Sequence, residues 1–479
     1  MPMKPVAFLR VSLLVFLTAC KSSTPEDPVT LSQEFCPPEK TPKPVGTNAA
    51  LGLAGYAKVM CSAVFVSGRD IEEAIHNSGY FFLPDELQDK VSYTVDETEQ
   101  SVTLSLGDSL SRSAKFHGSQ GCIINTGQGL FFEPVEVVSS LPPADSTLWP
   151  MGDMIEQQTT GIDQARIEAA IDSAFAPDGL TAAFVIVYDG QIVGERYAPG
   201  ITKDTQLESW SMGKSLTATL IGRMIQQGYF AIDDPAPVKA WQEEGDPRGD
   251  IRIRDLLQMS SGLNFHSHRD PDARPEINLM DHFYIYSGAV DAFEYSFTRP
   301  LQFPIGTEGR YHNCDPLILG HVMKTTLTAD GKEYLTYAQK ELFDKIGIRK
   351  QVMETDPYGN FLLTGFDYGT GRNWARLGML YLQNGQWNGE QIIPESYDDF
   401  VSTLAPGWKT PVYGGLFWIN GAGEMPIPKE AYYMAGAGGQ RTIIIPSKKL
   451  VVVRLGHNRG DAAGMKSLNN ALAQLMEIF

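Results

Sequence analysis

Residues 208–217 read ESWSMGKSLT, and the run continues ATLIGRMIQ to residue 226. Leu216, Leu220, Ile221, Met224 and Ile225 spread round most faces of the helix this spacing predicts. A helix apolar on most faces lies inside its domain. Between Trp210 and Gln226 the only charged side chains are Lys214 and Arg223. Lysine is seldom buried without a partner, and burial disfavours its charged form and lowers its pKa. Ser211 precedes Lys214 by three residues, and residues i and i+3 are helix neighbours. A neutral amine would then reach the serine oxygen and take its proton, which is what a serine nucleophile needs. Ser211 also falls in the first turn, where free backbone N–H groups and the helix dipole favour developing negative charge. S-x-x-K alone is common on protein surfaces; the apolar setting gives it weight.

Two further stretches carry candidate chemistry. In FPIGTEGRYHNCDPLILGHVM (303–323), Tyr311 and Asn313 stand just before an apolar helix. They read either as helix-capping residues or as a phenol able to shuttle a proton beside an amide able to hold a carbonyl. In YMAGAGGQRTIIIP (433–446), Gly436, Gly438 and Gly439 leave bare backbone at the start of an apolar strand. Such glycines mark a bulge, or a backbone N–H completing an oxyanion hole.

The surrounding pattern is α+β. AAFVIVYDGQIVGERY (182–197) predicts a β-hairpin turning at Asp189-Gly190. IRIRDLLQMSSGL (251–263) predicts a helix ending at SSG, and WARLGMLYLQNGQW (374–387) an amphipathic helix closed by Asn384-Gly385. RTIIIPSKKLVVVRLG (441–456) predicts two strands, and KSLNNALAQLMEIF a terminal helix. The terminal helix and the first hairpin then pack on one antiparallel sheet. Upstream, residues 50–66 predict a helix, and VSYTV with SVTLSL a hairpin around DETEQ. A break at SSLPPADSTLWP (139–150) separates a small α+β domain over 50–145 from a larger domain over 150–479.

The N-terminus predicts export. Lys4 and Arg10 flank or precede the apolar run VSLLVFL (11–17), which describes a signal peptide over 1–19 too short to span a bilayer comfortably. No other segment reads as long and apolar enough to do so. Residues 20–49 are rich in Pro, Ser, Thr and charge and read as linker. The 479 residues carry 57 acidic and 39 basic side chains, a formal net charge of −18. That balance argues against nucleic acid as a partner, which needs clustered Lys and Arg. Export permits disulfides. Cys36, Cys61, Cys122 and Cys314 allow three full pairings. Cys61–Cys122 is favoured because both lie in the N-terminal region in strand-like contexts, CSAVFV and GCIIN.

SMGK, YHN and GAGGQ, in that order and spacing, resemble the penicillin-recognising serine hydrolases: class C β-lactamases, DD-peptidases, related esterases and 6-aminohexanoate-dimer hydrolases. RDLLQMSSGL, the approach FPIGTEGRYHN and ARLGMLYLQNGQWNGEQIIPESY look like the same superfamily, so the likeness covers about residues 180–460. It implies a β-lactamase-like antiparallel sheet flanked by helices, with a helical subdomain and the site between them. It implies Ser211 as acylated nucleophile, Lys214 as its base and Tyr311 as proton relay. Asn313 would bind substrate or orient Lys214. The N–H groups of Ser211 and Ala437, next to Gly438, would form the oxyanion hole. It implies no metal and no cofactor. LTAC (17–20) resembles a lipoprotein lipobox, implying lipidation at Cys20, and Lys21 favours the outer membrane if the cell is Gram-negative.

One departure concerns substrate. β-Lactamases and DD-peptidases usually carry Lys-Thr-Gly, or His for the Lys, where this chain has AGAGG. Lys409-Thr410-Pro411 has Pro for the Gly and a loop setting. The missing cation favours the esterase and 6-aminohexanoate-dimer hydrolase branch over β-lactamase or DD-peptidase activity. The nearest cation, Arg441, shares a strand face with Gly439 and Ile443 and so points away from the cleft, unless a bulge at the glycines reverses it. Two rivals stand beside this reading. His266-Ser267-His268-Arg269-Asp270 resembles the H-x-H-x-D of metallo-β-lactamases, although Pro271 follows where that family has a further His. A lipid-anchored sensor that captures ligand without turnover would keep the same boxes.

Overall fold

The computed structural model describes residues 33–37, 40–78, 82–156, 161–270 and 280–479. The predicted signal peptide 1–19, Cys20 and the first part of the predicted 20–49 linker lie outside the described residues.

Helix α1 (Asn48–Phe65) starts at Thr47, whose hydroxyl accepts from the Ala50 N–H. Its 18 residues have a mean hydropathy of 1.2. By length and composition it could cross a membrane, so the expectation that no segment beyond the signal could do so does not hold. In the fold it is a core helix: Leu53, Ala57 and Met60 are buried at helical spacing. It lies against an antiparallel meander of β1 (Val91–Asp96), β2 (Ser101–Leu106), β3 (Leu110–Phe116) and β4 (Cys122–Ile124). Cys61 on α1 is bonded to Cys122 on β4. Cys122 is on a strand, but Cys61 is not. The β-prone composition of CSAVFV yields to the helical register of the residues before it, because propensity is weaker than the pattern of burial.

The larger part begins with α2 (Gln164–Ala174) and the hairpin β5 (Thr181–Tyr188) and β6 (Gln191–Tyr197). Asp189 (φ 45°) and Gly190 (φ 81°) turn it, both in the left-handed region that a two-residue hairpin requires. There follow β7 (Leu207–Glu208), α3 (Met212–Gln226), α4 (Ile253–Leu257), α5 (Asp281–Ser287), α6 (Cys314–Ala329), β8 (Val352–Met353), β9 (Asp367–Gly369) and α7 (Gly371–Leu382). The chain ends with β10 (Trp418–Ile419), β11 (Tyr432–Gly436), β12 (Gln440–Ile445), β13 (Leu450–Gly456) and α8 (Asp461–Ile478). Helix α4 is shorter than 251–263 suggests, since Met259 takes a left-handed φ of 51° and turns the chain.

The main sheet has six antiparallel strands in the order β10-β11-β12-β13-β5-β6. The C-terminal strand β13 thus pairs with the first strand β5, which is buried along nearly its whole length. On one face α2 and α8 cover Phe184, Ile186, Ile443 and Val452. On the other, α7 and α3 cover Val185, Ile444, Val451 and Val453. Gly378 lets α7 lie close, as a Cβ there would stand 2.6 Å from Val451. A small sheet, β7-β9-β8, carries the chain into α3. The apolar residues of α1 and the meander run into the same core as α3 and α7.

The disulfide closes a separation of 61 residues. Cys61→Ser with Cys122→Ser is expected to cost about 4 kcal/mol in the chain-entropy picture, read as a lower urea midpoint with a somewhat steeper slope, since the unlinked denatured chain exposes more surface.

Candidate active site

The entry into α3 is strained and tightly packed. Trp210 has φ 51°, a left-handed conformation that is costly for a bulky residue. Its ring is held by Phe82 and Phe366, with centroids 6.0 Å and 5.7 Å away. The turn brings Ser211 to the first residue before α3, and its hydroxyl makes no capping bond. The Ser211 side chain is therefore left facing the cleft, which it lines.

Lys214 is 1% exposed. Its Nζ stands 3.0 Å from Ser211 Oγ and donates to the Thr364 carbonyl at 2.8 Å. Burial holds its pKa well below the usual lysine range, and the Arg269 guanidinium pushes the same way. Asp367 opposes them weakly: burial pushes its own carboxyl up to about 7, against hydrogen bonds from Ser209 and Gln351. The glycine inside SMGK has a packing reason. A Cβ at Gly213 would lie 2.3 Å from the Leu363 carbonyl oxygen and 2.7 Å from Asp367 Oδ1. Only a bare backbone lets the 363–367 segment close over Lys214.

Tyr311 completes a triangle. Burial raises its pKa, against the pull of the Ser211 hydroxyl and the field of Arg269. Lys214 Nζ and the Arg269 guanidinium each lie 5.0 Å from the Tyr311 ring centroid. Gly436, the last residue of β11, would bring a Cβ to 2.0 Å from the Ser209 carbonyl oxygen and 3.1 Å from Ser211 N. The close approach of β11 therefore requires glycine, and it sets Ala437 beside Ser211 along one cleft wall. Gly438 and Gly439, at φ 79° and 72°, then reverse the chain into β12. Gly438 packs toward Asn458 rather than lining the cleft.

Asn313 stands two residues after Tyr311. It is fully buried at the start of α6 and donates to the His282 carbonyl at 2.9 Å, so it ties α6 to α5. Arg441 departs from the sequence expectation and lines the cleft. Across the glycine turn it pairs with Ala435, and both share the cleft wall with Tyr433. Its guanidinium lies 5.7 Å from the Tyr433 ring and donates to the Gly436 and Gln440 carbonyls. Arg269 also lines the cleft, with its guanidinium on Tyr311 and on Trp418 at 5.2 Å. The cleft, about 490 Å³, thus holds two guanidinium groups where the third sequence box lacks a cation, with Asp461 and Glu424 also on its walls. Lys409 is exposed and paired with Glu308.

The H-x-H-x-D stretch does not converge. His266 stands 3.7 Å from Asp281, Asp270 takes Arg310 at 2.8 Å, and His268 packs on His282 and Phe283. Among the described residues, metal-type donor atoms gather instead at His312, Cys314 and Asp315, within 4.8 Å of one another. Asp315 there accepts from the Ser261 hydroxyl at 2.6 Å. Thr364, Asp367, Arg269 and Trp418 carry no sequence signal for the site. The first acts through its backbone, and all four lie far along the chain from Ser211.

A family model described as Beta-lactamase matches residues 168–476. An uncharacterised protein of Alkalihalophilus pseudofirmus is 23% identical over 60% of this chain and 87% of its own. The 6-aminohexanoate-dimer hydrolase of Paenarthrobacter ureafaciens is 24% identical over 47% of this chain and 58% of its own. Among solved structures, "Putative 6-aminohexanoate-dimer hydrolase from Bacillus anthracis" shares the fold, with a TM-score of 0.52, 20% identity, and coverage of 72% of this chain and 88% of that one.

Gly213→Ala is expected to cost about 1–3 kcal/mol by overpacking and to displace the Thr364 carbonyl from Lys214. Urea unfolding measures the first effect. A variant as stable as the parent would show that the 363–367 segment does not depend on the missing Cβ.

Proposed function

The chain belongs to the beta-lactamase family of serine hydrolases, and from that premise we propose that it cleaves an ester or amide through an acyl-enzyme on Ser211. The observation that carries this reading is Lys214, 1% exposed with its amine 3.0 Å from Ser211 Oγ. A lysine whose pKa is depressed by burial is a base near neutral pH. In the proposed reaction Ser211 Oγ attacks the substrate carbonyl carbon and its proton passes to the Lys214 amine. The N–H groups of Ser211 and Ala437 hold the oxyanion. Tyr311, whose ring centroid lies 5.0 Å from Lys214 Nζ, delivers a proton to the leaving nitrogen or oxygen. Water, deprotonated by the same groups, then releases the acid and restores Ser211.

Similarity to the Paenarthrobacter 6-aminohexanoate-dimer hydrolase supports a small amide or ester as substrate. The absence of a cation at the third box does not exclude a substrate carboxylate, because Arg441 and Arg269 both line the cleft. A carboxylate buried there would have charged partners, which otherwise costs heavily. This observation keeps a second reading alive, in which β-lactams or peptide carboxylates are cleaved. The disulfide between Cys61 and Cys122 fits an oxidising compartment and supports export with lipidation at Cys20, in the cell envelope.

Ser211→Ala is expected to abolish fluorophosphonate labelling and to lower turnover at least about a thousandfold, with unfolding unchanged. In the parent the labelling rate should rise with pH from the acid side, because Lys214 is a base only above its depressed pKa. Label on another serine of an active Ser211→Ala protein would remove this reading.

Arg441→Ala separates the two substrate classes. The KM for nitrocefin or 6-aminohexanoate dimer, each bearing a carboxylate, should rise about tenfold relative to that for p-nitrophenyl butyrate. An unchanged ratio would mean that Arg441 holds no substrate carboxylate.

A further inference from the structure

Residues 48–124 lie outside the 168–476 stretch that the family model matches, yet they grip the loop that holds Lys214. Glu354 sits at the head of that loop and is fully buried. Its backbone brackets Thr364 on both sides: the Glu354 N–H donates to the Phe366 carbonyl at 2.9 Å, and the Leu362 N–H donates to the Glu354 carbonyl at 2.8 Å. Its side chain is held wholly by the N-terminal segment. Oε1 accepts from the Ser62 hydroxyl at 2.6 Å and the Cys122 N–H at 2.8 Å, and Oε2 pairs with Lys58 Nζ at 2.8 Å. Lys58 Nζ also donates to the Cys122 carbonyl and lies 4.8 Å from the Phe366 ring centroid. Gly121 is bare where a Cβ would stand 2.5 Å from the Glu354 side chain. The disulfide then fastens Cys122 to α1, one turn from Lys58.

We propose that Lys58 is a positioning residue for the hydrolase site: through Glu354 and Phe366 it fixes the 362–366 turn, and so the Thr364 carbonyl that holds the Lys214 amine beside Ser211. This rests on the reading of Ser211 and Lys214 given above. A buried ion pair adds little net stability over apolar packing of the same volume, whereas this one joins the N-terminal segment to the residue whose backbone brackets Thr364. A second tie has the same sense. Glu208, three residues before Ser211, takes Arg69 at 3.1 Å and the Ser78 hydroxyl at 2.6 Å, both from the N-terminal segment. Phe366 in turn touches the rings of Trp210 and Tyr286, and the Tyr286 hydroxyl bonds the Thr364 side chain at 2.9 Å.

The pH dependence of acylation reads this positioning. Lys214 faces Arg269 and Asp367, the Tyr311 ring, and His268, His282 and His312, all of which sense its charge. Burial is the largest cause of its low pKa, so a loosened 362–366 turn that admits water raises it.

The test is Lys58→Met. Lys58→Met with Glu354→Gln accompanies it, so that a folded protein remains if the lone buried carboxylate prevents folding. Fluorophosphonate labelling of Ser211 is followed across pH in the full chain. In a folded variant the labelling rate at neutral pH is expected to fall about tenfold or more, with its acid limb moved up by about half a pH unit. The KM for p-nitrophenyl butyrate should stay within about twofold of the parent, since Arg269, Tyr311, Trp418, Tyr433 and Arg441 on the cleft walls belong to other segments. A folded variant with the parent's rate and pH profile overturns the proposal. So does a loss that is equal at every pH and tracks the unfolded fraction. Ser211→Ala runs alongside; label on that control sinks the reading of the nucleophile and not the role of Lys58.

Discussion

The site depends on keeping one amine dry. Lys214 lies on a helix whose other faces are apolar, and its nitrogen meets two oxygens, Ser211 Oγ and the Thr364 carbonyl. Water at that nitrogen would restore its charge and, in the proposed reaction, remove its use as a base. Each neighbouring feature follows from this constraint. Gly213 lets the 363–367 segment close, Gly436 lets β11 close from the other side, and Trp210 accepts a strained backbone to turn Ser211 into the cleft. Burial also lifts the Asp367 carboxyl to about 7, and Asp367 pulls the Lys214 pKa upward against burial and Arg269.

The same dryness explains why the site is assembled from distant segments. A single helix can place a lysine next to a serine but cannot cover both. The cover comes from the β8–β9 connection, from Tyr311 ahead of α6 and from the end of β11. The six-stranded sheet holds β11 against the start of α3. On the far side, α1 and the meander hold the β8–β9 connection through Glu354. The disulfide and the buried Lys58–Glu354 pair therefore bear on the geometry of the amine although neither touches the cleft.

The charge of the cleft is set separately from its acylation chemistry. Arg269 and Arg441 come from distant segments, each against aromatic rings, an arrangement that holds a guanidinium in place at low entropic cost. Arg269 also presses the Lys214 pKa downward. One residue thus serves both the base and any anionic group that enters, and this links substrate charge to the protonation of the amine.

Local pattern determined much of this protein. The serine–lysine spacing on an apolar helix, the Asp189-Gly190 hairpin, the strands of 441–456 and the terminal helix all follow from short-range periodicity and turn chemistry, and they suffice for the antiparallel sheet with its flanking helices. The three boxes carry enough of the family's residues for the resemblance to be legible. Tertiary structure alone decided which residues surround the amine. Asn313 is legible as a residue beside Tyr311, but its bond to the His282 carbonyl is not, because a helix start can aim its side chain inward or outward at equal sequence cost. Arg441 reads as turned away, because strand alternation says which residues share a face but not which face a cleft will reach. Thr364 acts through a backbone carbonyl that every residue type possesses, so no side-chain pattern could mark it. Lys58 reads as one charge on an apolar helix; its partner lies nearly three hundred residues away, and only the folded core brings them together.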